Sequence, residues 1–363
     1  WQAGDQLVLT PTEYGAETME VETMTITGVA PVPSSGDATW TVTLAEPLKH
    51  SHFAGDVAVD TAGTSGLASS VRLAGAVGHM SRNIVVRGAI EAGAPGYGGH
   101  ILVGNVALDR LGTVVLDNVL LQDCGKEALT HEALTFAYST AMGELLASAD
   151  APADYENVVT GCAFRNLHND GIAGHSVADL VLHNNVLHNA QRSGVHLDAK
   201  CVRASVTDNL VVGVYHSPRD DSDRWVRPVV GMFLEPYPLA AVHGNVVGGS
   251  HDSGFVMRPP MCGDAAALAA MFDNEAHGTV VGAFVLRHAR GRGCSKFANF
   301  KAWKSAHVGV MAVDQTANLV LDNLVVADNH MGIMANFITA THNRGALYGG
   351  TGGTARDREA CGR

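Results

Sequence analysis

One short line recurs along this chain, and it settles the fold class before composition is considered. Asn118, Asn185, Asn209, Asn245 and Asn323 are each followed by two aliphatic residues: Val119-Leu120, Val186-Leu187, Leu210-Val211, Val246-Val247 and Leu324-Val325. A glycine falls nine residues after the asparagine in three of these lines (Gly194, Gly254, Gly332). Cys162 takes the asparagine's place in GCAFRNLHNDGIAG, nine residues before Gly171. Apolar residues alternate after each glycine, as in GIAGHS, GVHLDA, GFVMRP and GIMANF. A period of two is a strand and not a helix. From 162 to 185 to 209 the frame repeats at 23 and 24 residues, too few to bury an apolar face alone, so copies must stack.

Two solenoids have such a period. The leucine-rich repeat lacks support because its L-x-x-L-x-L spacing is missing and valine outnumbers leucine in the strands. A parallel β-helix fits: asparagines at one corner stack amide on amide, which satisfies side chains that are costly to bury. The expectation is that all five frame asparagines share this corner and that the recurring glycine supplies a positive φ at the next.

Composition agrees with an all-β solenoid. The chain has 363 residues, 46% of them hydrophobic, only 17% charged and 6% aromatic, with 41 glycines, which suits a long, narrow core. No apolar run is long enough for a transmembrane helix, and no signal peptide is present. Since WQAGDQLVLT is already strand-like and lacks a starting methionine, the chain reads as a segment of something longer. A net charge of −12 without a Lys/Arg cluster argues against nucleic acid or an anionic membrane surface as partner. The six cysteines show no metal-ligand spacing, and their wide separation leaves both disulfides and buried thiols open. No asparagine begins an N-x-[ST] acceptor.

Residues 1–90 read as short strands and turns, 91–347 as the solenoid and 348–363 as a flexible glycine-rich linker. Insertions fall near 126–155, with helical character, and near 215–230, a charged loop; GDAAALAAMFDNEAHG is a further candidate helix. Long loops on a rigid scaffold are frequent sites of function.

AGDQLVLTPTEYGAETMEV and VTLAEPLKHSHFAG resemble the second half of the eight-glycine domain shared by the fibrocystins and by the transmembrane and secreted hyaluronidases. VGHMSRNIVVRG and GGHILVG are similar to the junction from that domain into the β-helix. HGNVVGGSHDSGFVM, DNEAHGTVVGAFVL, FANFKAWKSAHVGVM and LDNLVVADNHMGIM resemble its successive coils, with FKAWKSAHVGV closest to the fibrocystin branch. The resemblance covers nearly the whole chain. It implies a right-handed parallel β-helix behind a partial eight-glycine domain, on an extracellular or cell-surface protein of cilia or similar projections. It also implies a disulfide between Cys262 and Cys294, which flank the N-x-A-H line where relatives carry cysteines.

Fold alone does not give function. Polysaccharide cleavage needs paired acidic and basic groups about 5 to 10 Å apart. The hyaluronidase relatives carry an acidic stretch before GGH and a histidine-rich motif after the next coil. Here GAPGY precedes Gly98-Gly99-His100, and Ala133–Ser139 reads ALTFAYS with only Tyr138 to offer. On this reading His100 stands alone and the segment is not an enzyme.

Histidines recur at equivalent positions. His183 and His243 lie two before the frame; His168 and His251 lie six after it. A ridge of His168, Asp170, His251 and Asp252 is thus the candidate surface for a glycan or protein. Asp220, Asp221 and Asp223 form a weak calcium candidate, without the glycine spacing of a calcium loop. The expected role is a non-catalytic structural or adhesion segment, without cofactor, whose partners are other extracellular proteins or further copies of itself. The alternatives are a polysaccharide hydrolase and a carbohydrate-binding module.

Overall fold

A computed structural model describes residues 1–14, 19–32, 39–58, 70–89, 96–107, 110–127, 131–148, 155–217, 229–236, 239–286, 294–315, 319–337 and 343–348. The calcium candidates Asp220, Asp221 and Asp223 and the 349–363 part of the proposed linker lie outside them.

The alternating segments form strands that pair in parallel, each with its counterpart one repeat later. Three strands make one coil. Coil 1 comprises Ile84–Arg87, Ile101–Ala107 and Val114–Asp117. Coil 2 comprises Val119–Gln122, Leu134–Ala137 and Asn157–Thr160, and coil 3 Ala163–Leu167, Ile172–His175 and Val181–His183. Coil 4 runs through 186–207, coil 5 through 210–243, coil 6 through 246–272, coil 7 through 274–298 and coil 8 through 300–322; coil 9 opens at 324. The first strands stack as sheet I, the second as sheet II and the third as sheet III. Crossovers between parallel strands of one sheet wind right-handed, and the fold is a right-handed parallel β-helix. Inward side chains such as Leu121, Phe164, Leu187, Val211 and Val247 join one continuous core.

Ile84–Arg87 pairs in parallel with Val119–Gln122, so the stack begins there and not at residue 91. Ahead of it, Gln6–Leu9, Glu22–Pro31, Trp40–Leu44 and Val77–His79 form an antiparallel sheet, and Ala54–Ala58 pairs with Ser70–Ala74. This antiparallel unit lies along the outside of sheet I. Val8 and Met80 pack on Leu120, Ala163, Val186, Leu210 and Val212. Thr10 Oγ1 bonds His277 Nε2 at 2.9 Å, Lys304 pairs with Glu13 at 2.8 Å, and Leu73 packs on Trp303 and Ala327. Gly248 leaves the space that Thr10 fills, since a Cβ there would overlap the threonine side chain.

The 126–155 insertion contains a helix, Thr140–Ala147, capped by Ser139. The second candidate helix is only Ala265–Ala269, and its NEAHG part belongs to the strand Asn274–Val285. Cys262 and Cys294 are joined as a disulfide with Cα atoms 5.3 Å apart. Among the described residues Cys124, Cys162 and Cys201 are free and buried.

The frame asparagines meet at one corner but occupy two adjacent columns, which corrects the single ladder expected. The inner column is Val119, Cys162, Asn185, Asn209, Asn245, Asn274, Phe300 and Leu324. Its asparagines are buried and bonded amide to amide: Asn185 Nδ2 donates to Asn209 Oδ1 at 2.9 Å, Asn209 to Asn245 at 3.0 Å and Asn245 to Asn274 at 2.9 Å. The outer column, one residue earlier, is Asn118, Gly161, Asn184, Asp208, Gly244, Asp273, Asn299 and Asn323, every one at a φ between 47° and 66°. Asn, Asp and Gly are the residues that tolerate this left-handed turn. Asn118 and Asn323 therefore turn the chain and do not join the buried ladder.

The recurring glycines also have a different reason from the one expected. Gly171, Gly194, Gly231, Gly254, Gly282 and Gly309 stack in one column at ordinary negative or extended φ. A Cβ on any of them would come within 2.8 Å of the carbonyl oxygen of the next glycine in the column. Close approach of successive coils, not a positive φ, excludes side chains there.

Candidate functional site

The turn from sheet I to sheet II carries the residues of the expected ridge, with several ionisable side chains facing one another. Register places His168 beside Gln191, then Tyr215, then His251. The two histidines of the expected ridge are thus three coils apart, roughly 14 Å at a spacing of ~4.8 Å per strand. Asp170 aligns with Ser193, Val230 and Ser253, so Asp252 belongs to a neighbouring column. Asp170 is also only 2% exposed, whereas an exposed ridge was expected. His251 meets Tyr215 and His216 ring to ring, and Asp252 accepts from the Val229 amide at 2.9 Å and faces His216 at 3.4 Å. No continuous His/Asp ridge forms, for a definite reason: the 23- and 24-residue repeats between the two lines insert glutamine and tyrosine.

A denser cluster lies on the outer face of sheet II, over coils 2 to 6. Thr135, Ala173, His196, Phe233 and Val256 follow one another on it. His196 Nδ1 lies 3.2 Å from Asp170 Oδ2, and Arg192 Nη1 4.0 Å from the same oxygen. His175 Nδ1 lies 3.1 Å from Asp198 Oδ2, and Arg258 donates to Glu235 at 2.9 Å. His196 packs on the Phe233 ring at 4.7 Å.

His100 does not stand alone. Its Nε2 lies 3.1 Å from Thr135 Oγ1, whose hydroxyl donates to the buried Glu132 at 2.7 Å, and its ring meets His131 edge-on at 5.0 Å. Tyr138 faces away from this group: it is buried, accepts from Asn157 and donates to the Gly112 carbonyl.

Electrostatics follow from these pairings. Burial pushes the Asp170 carboxyl up, but the His196 hydrogen bond and the Arg192 charge outweigh it and hold the pKa below the usual carboxylate range. Burial also raises Asp198, and the bonds from His175 and the Lys200 amide reverse that, leaving it lowered. The bond to Asp198 raises His175 despite burial. Desolvation, helped by His131, lowers His100. Both aspartates are thus held ionised. Among the described residues no cluster of three or more His, Cys, Asp or Glu side chains can hold a metal ion.

The fold and this face define a parallel β-helix flanked by an antiparallel sheet. The chain is 26% identical to fibrocystin of Mus musculus over 340 residues and 25% identical to fibrocystin-L of Homo sapiens over 345, in each case 92% of this chain. Over that span it is a fibrocystin-like sequence, and it spans only 7% and 8% of the length of those relatives. No family model matches it. Among solved structures, a periplasmic alginate epimerase shares 9% identity at a TM-score of 0.38, covering 72% of this chain and 65% of that one, a likeness too distant to bear on chemistry.

Proposed function

We propose that this chain is a non-catalytic structural or adhesion segment of a fibrocystin-like extracellular protein, at a cell surface or cilium, meeting other extracellular proteins or further copies of itself. One observation carries the reading: each acidic side chain on the sheet II face is bonded within the protein, and Asp170 and Asp198 are held ionised by partners on the face itself. Hydrolysis by two carboxyl groups needs one kept protonated as the acid. A charge-paired face on a stack of sealed coils suits a rigid spacer with a contact surface. No described helix is long and apolar enough to cross a membrane.

One observation favours the hydrolase as second reading, namely the His100–Thr135–Glu132 chain. The two readings separate when the purified chain is incubated with high-molecular-weight hyaluronan and polymer size is followed. Unchanged size is expected. Shortening that disappears in His100→Ala would replace the structural reading by the hydrolase.

A further inference from the structure

Buried polar side-chain atoms in folded proteins almost always have hydrogen-bond partners, so a local excess without them calls for a ligand or water. Such an excess lies at the sheet I to sheet II turn of coils 2 to 4. His131 Nδ1, His168 Nε2, Asp170 Oδ1, Gln191 Oε1 and Arg192 Nε are all buried and make no hydrogen bond within the protein. They are contiguous. Asn169 donates to the Lys126 carbonyl, and Lys126 is bridged to His131; Arg192 donates to Asn169 at 2.8 Å; Gln191 follows His168 in register on the next coil; and Asp170 faces Arg192. The chain after Tyr215 crosses this turn. His216 is held at His251 and Asp252 on coil 6, while Ser217 donates to Glu127 on coil 2.

We propose that this turn is a binding site for a neutral sugar ring, entered when His216 and Ser217 lift from it. The chemistry of the five atoms selects the class. Asp170 Oδ1 and Gln191 Oε1 can only accept and Arg192 Nε can only donate, while each imidazole nitrogen does either according to tautomer. A ligand that satisfies them must therefore both donate and accept, as the hydroxyls around a sugar ring do. A bare anion leaves the two acceptors unmet and a cation leaves Arg192 unmet. Arg192 and Asp170 already oppose one another, so the site has no strong preference for net charge. This site goes beyond the scaffold reading and stands or falls apart from it, since a rod needs no ligand and hydrolysis is not invoked.

The test titrates the whole chain with neutral oligosaccharides of glucose, galactose, mannose and N-acetylglucosamine, by calorimetry and by saturation-transfer NMR, with a hyaluronan hexamer and a glycine-serine peptide as comparators. Saturable binding of at least one neutral sugar is expected. Gln191→Leu should weaken it about tenfold, the equivalent of one buried hydrogen bond. Arg192→Met should do so as well, and Asn323→Gly on the distant corner should not. Because Arg192→Met removes a bond to Asn169 and can unfold the turn, Gln191→Leu with an unchanged melting temperature decides the matter. Binding of the hyaluronan hexamer or the peptide alone would overturn the proposal. So would equal affinity in Gln191→Leu, or a high-resolution structure in which ordered waters satisfy all five atoms and a neutral sugar displaces none of them.

Discussion

Replacing Asn209 by leucine tests the two-column corner most directly. Asn209 Nδ2 donates to the Leu182 carbonyl at 2.9 Å, the Thr207 carbonyl at 3.0 Å and Asn245 Oδ1 at 3.0 Å. Its Oδ1 accepts from the Asn185 backbone amide at 3.1 Å and from Asn185 Nδ2 at 2.9 Å. Leucine keeps the side-chain heavy-atom count and branching but has no hydrogen-bonding group, so lost partners are the main cost, with its greater bulk adding to it. Asn245 Oδ1 keeps the Asn209 backbone amide and Asn185 Nδ2 keeps the Val159 carbonyl. The Asn185 backbone N–H and one of its amide protons are left bare in a buried channel. At about 1 to 3 kcal/mol for each unsatisfied buried group, the loss should be about 3 to 5 kcal/mol once the weakened carbonyls are included. Asn184→Gly, one position earlier on the same corner, should change stability by less than about 0.5 kcal/mol, because the site is exposed at φ 52° and glycine adopts that turn freely. Urea denaturation followed by far-ultraviolet circular dichroism measures both. A loss under about 1 kcal/mol for Asn209→Leu, or a larger loss for Asn184→Gly, would refute the assignment of ladder and turn to separate columns.

Acid should weaken the fold through His188, whose pKa burial, aided by Arg165, lowers from 6.5 to about 4. The folded state refuses a proton that the unfolded chain accepts, so roughly 3 kcal/mol is lost as pH falls from about 6.5 to 4. His188→Met should flatten that part of the stability profile, and an unchanged slope would count against it. Glu275 works at lower pH: burial raises it, but His277 and Lys301 outweigh that and bring it down to about 2. Its contribution is present above about pH 4.5 and lost as pH falls toward 2, which Glu275→Gln should remove from an acid titration of stability. Gly231→Ala would place a Cβ against Val247 and within 2.6 Å of the Gly254 carbonyl. A loss of roughly 3 kcal/mol or failure to fold is expected, and a normal melting temperature would contradict the packing argument. Reducing Cys262–Cys294, 32 residues apart, should cost roughly 3 to 4 kcal/mol on the loop-entropy view. Melting with and without reductant checks this, and coincident curves would argue against it.

The repeat was legible in the sequence because strand alternation and corner residues leave a mark at every coil. What escaped was register to a single residue. Asn118 and Asn185 both precede an aliphatic pair, yet Leu120 aligns with Ala163 and therefore shifts Asn118 by one. Asn274 continues the buried ladder but is followed by Glu275 and Ala276. Glu275 sits where sheet I meets the antiparallel unit, and Lys301, His277 and the Trp303 indole hold it there. An aliphatic-pair rule fails where that outward column is held by charge, as at Glu275, and holds where the contact is apolar, as at Val186 and Leu210. Glu132 lies one residue before Ala133–Ser139, and the partners Asp170 and His196 come from adjacent coils three register positions apart. Only coordinates join these.

The lengthwise contact of the antiparallel unit with sheet I has a consequence for how this molecule comes apart. In a solenoid each repeat touches only its neighbours, so end coils fray while the middle survives and stability grows by increments. Here Gln6 meets Arg165 on coil 3, Val8 and Met80 together cover coils 2 to 5, Thr10 reaches coil 7 and Glu13 coil 8. A splint fastened at so many rungs makes loosening one rung a strain on all. Such a rod yields all at once or not at all, and force applied at either end is shared along its length instead of peeling it rung by rung.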